Sequence, residues 1–319
     1  MRSDDSLATI LLVSRVASDG LQPLKAAEYW ELTEHVENPG ELLRSRSGVN
    51  AGDHGGKEGL ASRIDALLGR ATAMAFELER LDQSGIATLT PFDEGYPGRW
   101  RDRLGPKAPP VVHAAGDVSL LAHQGIGVVG SRDVTLEGAD VAAQIAKRAV
   151  GLEHSLVSGA ARGVDQLAMS AAFDAGGSVV GILAESLART LRKPDVRRAI
   201  HSGTTVLCTP YAPDAPFNAG NAMGRNKLIY AQSAVTIVVA SDADRGGTWS
   251  GAVEALRHGI GRVGVWRGPG EGPGNEAIEA RGATALRSVD DIAALLALGH
   301  PPAAAPDVSG ATQPSLFES

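Results

Sequence analysis

The chain has 319 residues, 43% hydrophobic and 21% charged, the composition of a globular protein with one large core and room for a smaller unit. One cysteine, Cys208, excludes an intramolecular disulfide and a cysteine-rich zinc site, and the 8 histidines show no metal-ligand spacing, so neither metal nor cofactor is expected. With 30 Lys and Arg against 37 Asp and Glu the net charge is −7, so binding to nucleic acid would need a local basic surface.

The N-terminus, with Asp4 and Asp5, carries no signal-peptide pattern, and no apolar run approaches the ~18 residues of a membrane span; a cytoplasmic protein is expected. Residues 6–36 read as helices, with Ala27, Trp30 and Leu32 on one apolar face, and residues 45–58 as a turn-rich loop. Ile64, Leu67 and Leu68 open a helical stretch that runs through Phe76, Leu78 and Leu81 to Gln83. Together these predict a helical N-terminal domain over 1–83, in which no chemistry is visible. Ile86–Thr90 reads as an edge strand. Tyr96-Pro97 and Pro109-Pro110-Val111-Val112 then lead into the main domain, 84–298.

In that domain, apolar runs at 126–130, 155–159 and 179–183 alternate with helical-period segments at 139–150 and 166–175. The pattern predicts βαβαβ and an α/β fold, an extended Rossmann-like parallel-sheet core beside the small helical domain. Gly125 and Gly127 precede the end of the first strand, which disfavours a dinucleotide site. Residues 186–200 carry Arg189, Arg192, Lys193, Arg197 and Arg198 against one acid, Asp195. A strand at 205–209, a proline-rich loop at 210–216, a helix at 225–232 and a strand at 235–240 follow. Helix 250–258, strand 262–266 and helix 289–298 complete the core. Residues 299–319 read as a flexible tail, ending Gln313-Pro314-Ser315-Leu316-Phe317-Glu318-Ser319.

Ligands of parallel sheets sit beyond the carboxyl ends of the strands, where three glycine-rich turns fall. Gly130-Ser131-Arg132 combines close backbone approach, a hydroxyl and a guanidinium; it suits an anion or, equally, a tight turn with a solvated arginine. Ser158-Gly159-Ala160-Ala161-Arg162-Gly163-Val164-Asp165 repeats the idea one strand over, with Asp165 a helix cap or a partner for Arg162. In Gly246-Gly247-Thr248-Trp249-Ser250, Thr248 and Ser250 can donate to phosphate, while Trp249 stacks on a base or fills the core. Arg225-Asn226-Lys227 places two cations at an expected helix start, where the macrodipole favours an anion among them. The cluster from Arg189 to Arg198 is either a solvated helix face or a rim for a nucleic-acid backbone.

Taken together, Val129-Gly130-Ser131-Arg132, the Ser158–Asp165 turn, Arg225-Asn226-Lys227-Leu228-Ile229, the Gly247–Gly251 turn and the Tyr96-Pro97…Pro109-Pro110 lead-in resemble the DprA/Smf family of DNA-processing proteins. The resemblance implies a Rossmann-like core, single-stranded DNA as ligand, a homodimer, and RecA as a partner loaded during natural transformation. It implies no catalytic residue. Arg132, Arg225 and Lys227, with Lys193, would contact DNA phosphates; Gly130, Ser131, Ser158, Gly159 and Gly247 would form the anion-accepting turns, with Arg162, Asn226 and Thr248 beside them. The chain departs from the family pattern at Gly246-Gly247-Thr248-Trp249-Ser250-Gly251, and in a lengthened segment from Phe217 to Lys227.

The tail sequence Gln313-Pro314-Ser315-Leu316-Phe317 resembles the QxxLF peptide that binds the replication sliding clamp, Gln313 supplying an amide and Leu316 and Phe317 an apolar pair. Two other function classes stay open. One is a nucleotide-sensing adaptor. The other is a nucleoside-monophosphate phosphoribohydrolase of LOG type, for which Glu254 stands one residue late and no proline precedes Gly246-Gly247.

Overall fold

The computed structural model describes residues 2–17, 20–44 and 58–299. The loop expected at 45–58 falls outside them save for Glu58, which opens a helix, and so does the tail beyond Gly299, with Gln313, Leu316 and Phe317.

The described strands are β1 (Ala87–Leu89), β2 (Val112–Gly116), β3 (Gly125–Val129), β4 (Leu156–Ser158), β5 (Val179–Ile182), β6 (Thr205–Thr209), β7 (Ser233–Val238), β8 (Arg262–Trp266) and β9 (Thr284–Leu286). They form one sheet in the order β1-β2-β6-β5-β4-β3-β7-β8-β9. Every pair from β6 to β9 along that order is parallel, while β2 is antiparallel to both its neighbours. The expected α/β fold with a parallel-sheet core is therefore what the chain adopts.

Five helices precede the sheet: α1 (Asp4–Val13), α2 (Ala26–His35), α3 (Glu41–Arg44), α4 (Glu58–Leu68) and α5 (Ala71–Gln83). Interleaved with the strands are α6 (Arg99–Leu104), α7 (Leu136–Gly151), α8 (Val164–Asp174), α9 (Leu187–Thr190), α10 (Pro194–His201), α11 (Ala219–Gln232), α12 (Gly246–His258), α13 (Asn275–Glu279) and α14 (Asp291–Ala297).

Side chains alternate across the sheet with period two, so each strand feeds two cores. Ile126 and Val128 pack with Val141, Ile145, Ala168 and Ala172 of α7 and α8 on one face. Val129, one residue on, packs on the other face with Leu228 and Ile229 of α11 and Trp249 of α12. α7 starts where the Thr135 hydroxyl accepts from Gly138 N at 3.1 Å, and its buried Val141, Ala142, Ile145, Ala146 and Ala149 recur at helical spacing. Each fully buried Val or Ile contributes roughly 1.5–3 kcal/mol by leaving water.

The N-terminal helices share the α11–α12 core. Their contact with the sheet side is specific: the Trp30 indole donates to the Ala108 carbonyl at 2.8 Å, and the Arg101 guanidinium lies 4.2 Å above its ring. Within the helices, buried Arg70 donates to the carbonyls of Leu11 and Ser14, at 3.0 and 2.8 Å.

Three differences from the sequence reading have physical causes. The segment expected as a helix from Arg225 begins at Ala219, because the Asn218 side chain accepts from Asn221 N at 2.7 Å and caps it there. The basic segment 186–200 divides into α9 and α10 at Pro194, which occupies a first-turn position. β2 and β9 were not expected as strands. Val-His-Ala-Ala, the first four residues of β2, lacks alternation because pairing on both sides and packing on both faces bury it.

Candidate nucleic-acid interface

Strand order reverses between β3 and β7, since β4, β5 and β6 extend from β3 one way and β7, β8 and β9 the other. Beyond the carboxyl ends of these strands lies a cleft of about 540 Å³. Its position is the one that the topology of open α/β sheets favours for ligands. The turn after β3 forms one wall and the first turn of α12 the other. Arg225, Asp165 and Tyr230 line the floor, and Phe217 and Met223 lie at the mouth.

Arg225 is only 5% exposed, and its guanidinium donates from Nη1 to the Ile182 carbonyl at 2.6 Å. Its Nε is buried without a partner, and so is the hydroxyl of Tyr230. Buried polar groups in folded proteins are nearly always paired, so these two leave the hydrogen bonding of the cleft floor incomplete. Asp165 sits among them and accepts from Gly159 N at 3.1 Å. Burial raises its carboxyl above the usual range, against the opposing pull of Arg225 and of the Ala161, Gly159 and Gly130 backbone. Burial likewise lowers the Arg225 guanidinium, against the pull of Asp165. The two make a charge pair largely shut away from bulk water.

The first turn of α12 presents backbone donors. Its N-cap, Arg245, gives no side-chain cap and no acidic residue stands in that turn, so the amides of Gly246, Gly247 and Thr248 keep the partial positive charge of a helix start. Asn226 donates to the Gly247 carbonyl at 2.9 Å, and the Thr248 hydroxyl donates to the Gly130 carbonyl at 3.0 Å. Asn226 and Thr248 thereby fix this turn against α11 and β3. Arg132 is exposed at the opposite wall, its guanidinium 5.3 Å from the Phe217 ring centroid. Phe217 is 50% exposed and Met223 55%, which leaves both apolar surfaces open at the mouth.

The structure brings Gly130, Ser131, Arg132, Arg225, Asn226, Gly247 and Thr248 to the cleft, and leaves five expected residues off its lining. Ser158 is fully buried and donates to the Val128 carbonyl at 2.6 Å. Gly159 lies under Arg225; a Cβ there would fall on the guanidinium. Arg162 stands on the outer flank, paired with Asp133 at 2.7 Å. Lys193 lies along a separate groove near Glu185, at 3.8 Å. Lys227 is part-buried, its ammonium lowered by burial and raised in part by Glu254.

Two further readings are corrected. Arg225 and Lys227 are not first-turn residues of α11, so the macrodipole argument for an anion there falls away. Asp165 neither caps α8, whose N-cap Gly163 has no side-chain cap, nor is the ion-pair partner of Arg162. Gly130 serves packing, since a Cβ would meet Val164 Cγ2 at 2.6 Å; Ser131 N is taken by the Ala240 carbonyl at 2.8 Å. Of the three expected anion turns, the one at α12 offers open backbone donors, while the one after β3 offers the side chain of Arg132. Trp249 is 7% exposed in the core, under Arg281. Glu254 is not on the cleft lining. Sequence reasoning missed Tyr230, a buried residue of α11 that comes to the floor of the cleft because α11 crosses beneath it.

A doubly wound parallel sheet with a cleft at its switch point defines a protein of the Rossmann-like class. The profile of one family, DNA recombination-mediator protein A, matches residues 87–297, and the chain belongs to this family, that of the DprA/Smf proteins. It is 27% identical over 179 residues to DNA processing protein DprA of Bacillus subtilis, covering 56% of this chain and 59% of that protein. It is 30% identical over 205 residues to a putative DprA of Mycobacterium tuberculosis, covering 59% of this chain and 51% of that one. The chain thus spans between half and three-fifths of these relatives' length. In three dimensions it is similar to DprA of Streptococcus pneumoniae, with a TM-score of 0.61 at 20% identity over 86% of this chain and 98% of that one. Helicobacter pylori DNA processing protein A, described for its single-stranded DNA binding mode, gives a TM-score of 0.55 at 22% identity, over 67% and 97%. Among the described residues no helix is long and apolar enough to cross a membrane.

Proposed function

We propose that the chain binds single-stranded DNA in the cleft at the β3–β7 switch point. The observation that carries this reading is the uncapped first turn of α12 facing a floor with two unpaired buried polar groups, Arg225 Nε and Tyr230 Oη. Phosphate fits the amides of Gly246, Gly247 and Thr248 and the guanidinium of Arg132, and a base fits against the exposed surfaces of Met223 and of the Phe217 ring away from Arg132. Family membership and the single-stranded DNA binding mode described for the H. pylori protein support the same ligand.

From the family resemblance we extend the reading to a homodimer that assists loading of RecA on DNA entering the cell. Gln313, Leu316 and Phe317 are proposed to tether the protein to the sliding clamp. A titration with unstructured oligonucleotides across salt concentrations tests the central claim, with log affinity falling linearly against log salt. Protection by mononucleotides without oligonucleotide binding would instead make the chain a nucleotide sensor.

A further inference from the structure

Beside the cleft runs a strip of arginines that the cleft itself does not use. Arg189 on α9, Arg192 in the link to α10, and Arg197 and Arg198 on α10 are all exposed. Among the described residues none of the four makes a side-chain hydrogen bond or ion pair. The nearby acids are Glu185, which faces Lys193 at 3.8 Å, Asp195 in the first turn of α10, Asp174 across the groove that Arg198 lines, and Asp214 on the neighbouring loop. A chain of net charge −7 concentrates positive charge here without neutralising it. Packing does not account for the arginines, because Val196 and Ile200 are the residues of α10 that reach the core.

The strip is joined to the cleft by rigid connections. β5 ends at Ile182, whose carbonyl takes Arg225 Nη1 at 2.6 Å on the cleft floor. The chain passes from there into α9, which is held to the proline-rich loop by Ser186 Oγ and Ala188 N, both donating to the Pro213 carbonyl at 3.0 and 2.9 Å. That same loop leads to Phe217 at the cleft mouth. α10 then continues away from the cleft, with Arg197 and Arg198 part-way along it.

We infer that α9 and α10 form a second contact track for the nucleic-acid backbone, taking the phosphates of a strand after it leaves the cleft. This rests on the single-stranded reading of the cleft and adds a direction to it. Unpaired exposed guanidiniums on a fixed helix suit a polyanion: each can fork onto a phosphate oxygen pair, and no base-specific partner is required. A strand too short to leave the cleft would not meet them.

The test compares oligothymidylates of about 5 and about 16 nucleotides, near the two ends of the range of single-strand site sizes. They are titrated against the full chain and the Arg197→Ala/Arg198→Ala variant. Both side chains are exposed, and an unchanged melting temperature confirms the variant's fold. The longer strand is expected to lose affinity on the order of tenfold at low salt, with its salt slope reduced by about 1.4, while the shorter strand binds as before. Equal affinity of protein and variant for the longer strand would overturn the track, and so would an equal loss for both lengths. Binding of neither strand by the unchanged protein would sink the cleft reading and the track with it. Binding of the short strand with no gain from length would remove the track alone.

Discussion

Arg225 and Asp165 both line the cleft, and neither does there what its place in the sequence suggested. Arginine before asparagine and lysine suggests a phosphate contact, yet the side chain is buried and spends Nη1 on a strand carbonyl. Its charge reaches the cleft from below, balanced by Asp165. Removing one member of such a pair strands the other, so Arg225→Ala should destabilise the fold by roughly 3–5 kcal/mol, seen in urea unfolding. Arg132→Ala differs in kind. The side chain is exposed, so the melting temperature should hold while oligonucleotide affinity falls and the salt slope drops by about 0.7. An Arg132→Ala protein that binds as tightly as the original would remove the guanidinium from the site. Ala160 makes a third case. Its φ of 54° is left-handed backbone in a non-glycine residue at the turn before Arg162. Ala160→Gly should relieve that strain and stabilise by about 1 kcal/mol, read as a higher urea midpoint.

At the scale of elements, the strand next to the edge of the sheet holds a titratable group that does not line the cleft. His113 in β2 is 2% exposed, its Nδ1 3.0 Å from the Thr88 hydroxyl on β1. Burial, with Arg2 adding to it, pushes the imidazole down to about 3 from its ordinary 6.5. The unfolded chain therefore takes up a proton between those values and the folded one does not. Stability is complete above pH 6.5 and is lost as pH falls toward 3, by up to about 1.4 kcal/mol per unit. Urea midpoints from pH 7 to 4 measure the slope, and His113→Gln should flatten it; an unchanged slope would assign the acid sensitivity elsewhere. The helix boundaries carry a related lesson. Asn218 starts α11 ahead of the motif, and Pro194 divides α9 from α10, so single residues at ends decide where long elements begin. Both residues are local signals, and both could have been weighed from the sequence.

Across the whole molecule, the N-terminal helices and the sheet share a continuous apolar core, joined through Trp30. Trp30→Ala removes a large buried ring, a hydrogen bond and the surface under Arg101, and should cost roughly 3–5 kcal/mol. Differential scanning calorimetry reads the loss; a separate early transition for the helices would show that they fold apart from the sheet.

What the sequence by itself determined is the α/β class, the parallel run of strands and the family. Short continuous apolar runs, helical-period segments and glycine at strand ends are local patterns that neighbouring residues impose. Seven of the twelve residues expected to bind do line the cleft, because turns at the carboxyl ends of parallel strands converge on one edge. Only the tertiary structure decided their roles. Ser158 and Gly159 passed under the floor, Lys193 and Lys227 went to other faces, and Tyr230 arrived from a helix interior. Each of these depends on how α8 and α11 cross the sheet, and on Asn218 starting α11 early enough to bring Arg225 beneath the β3 turn. Burial and unpaired donors are properties of packed neighbours far apart in the chain, and no spacing along the chain encodes them.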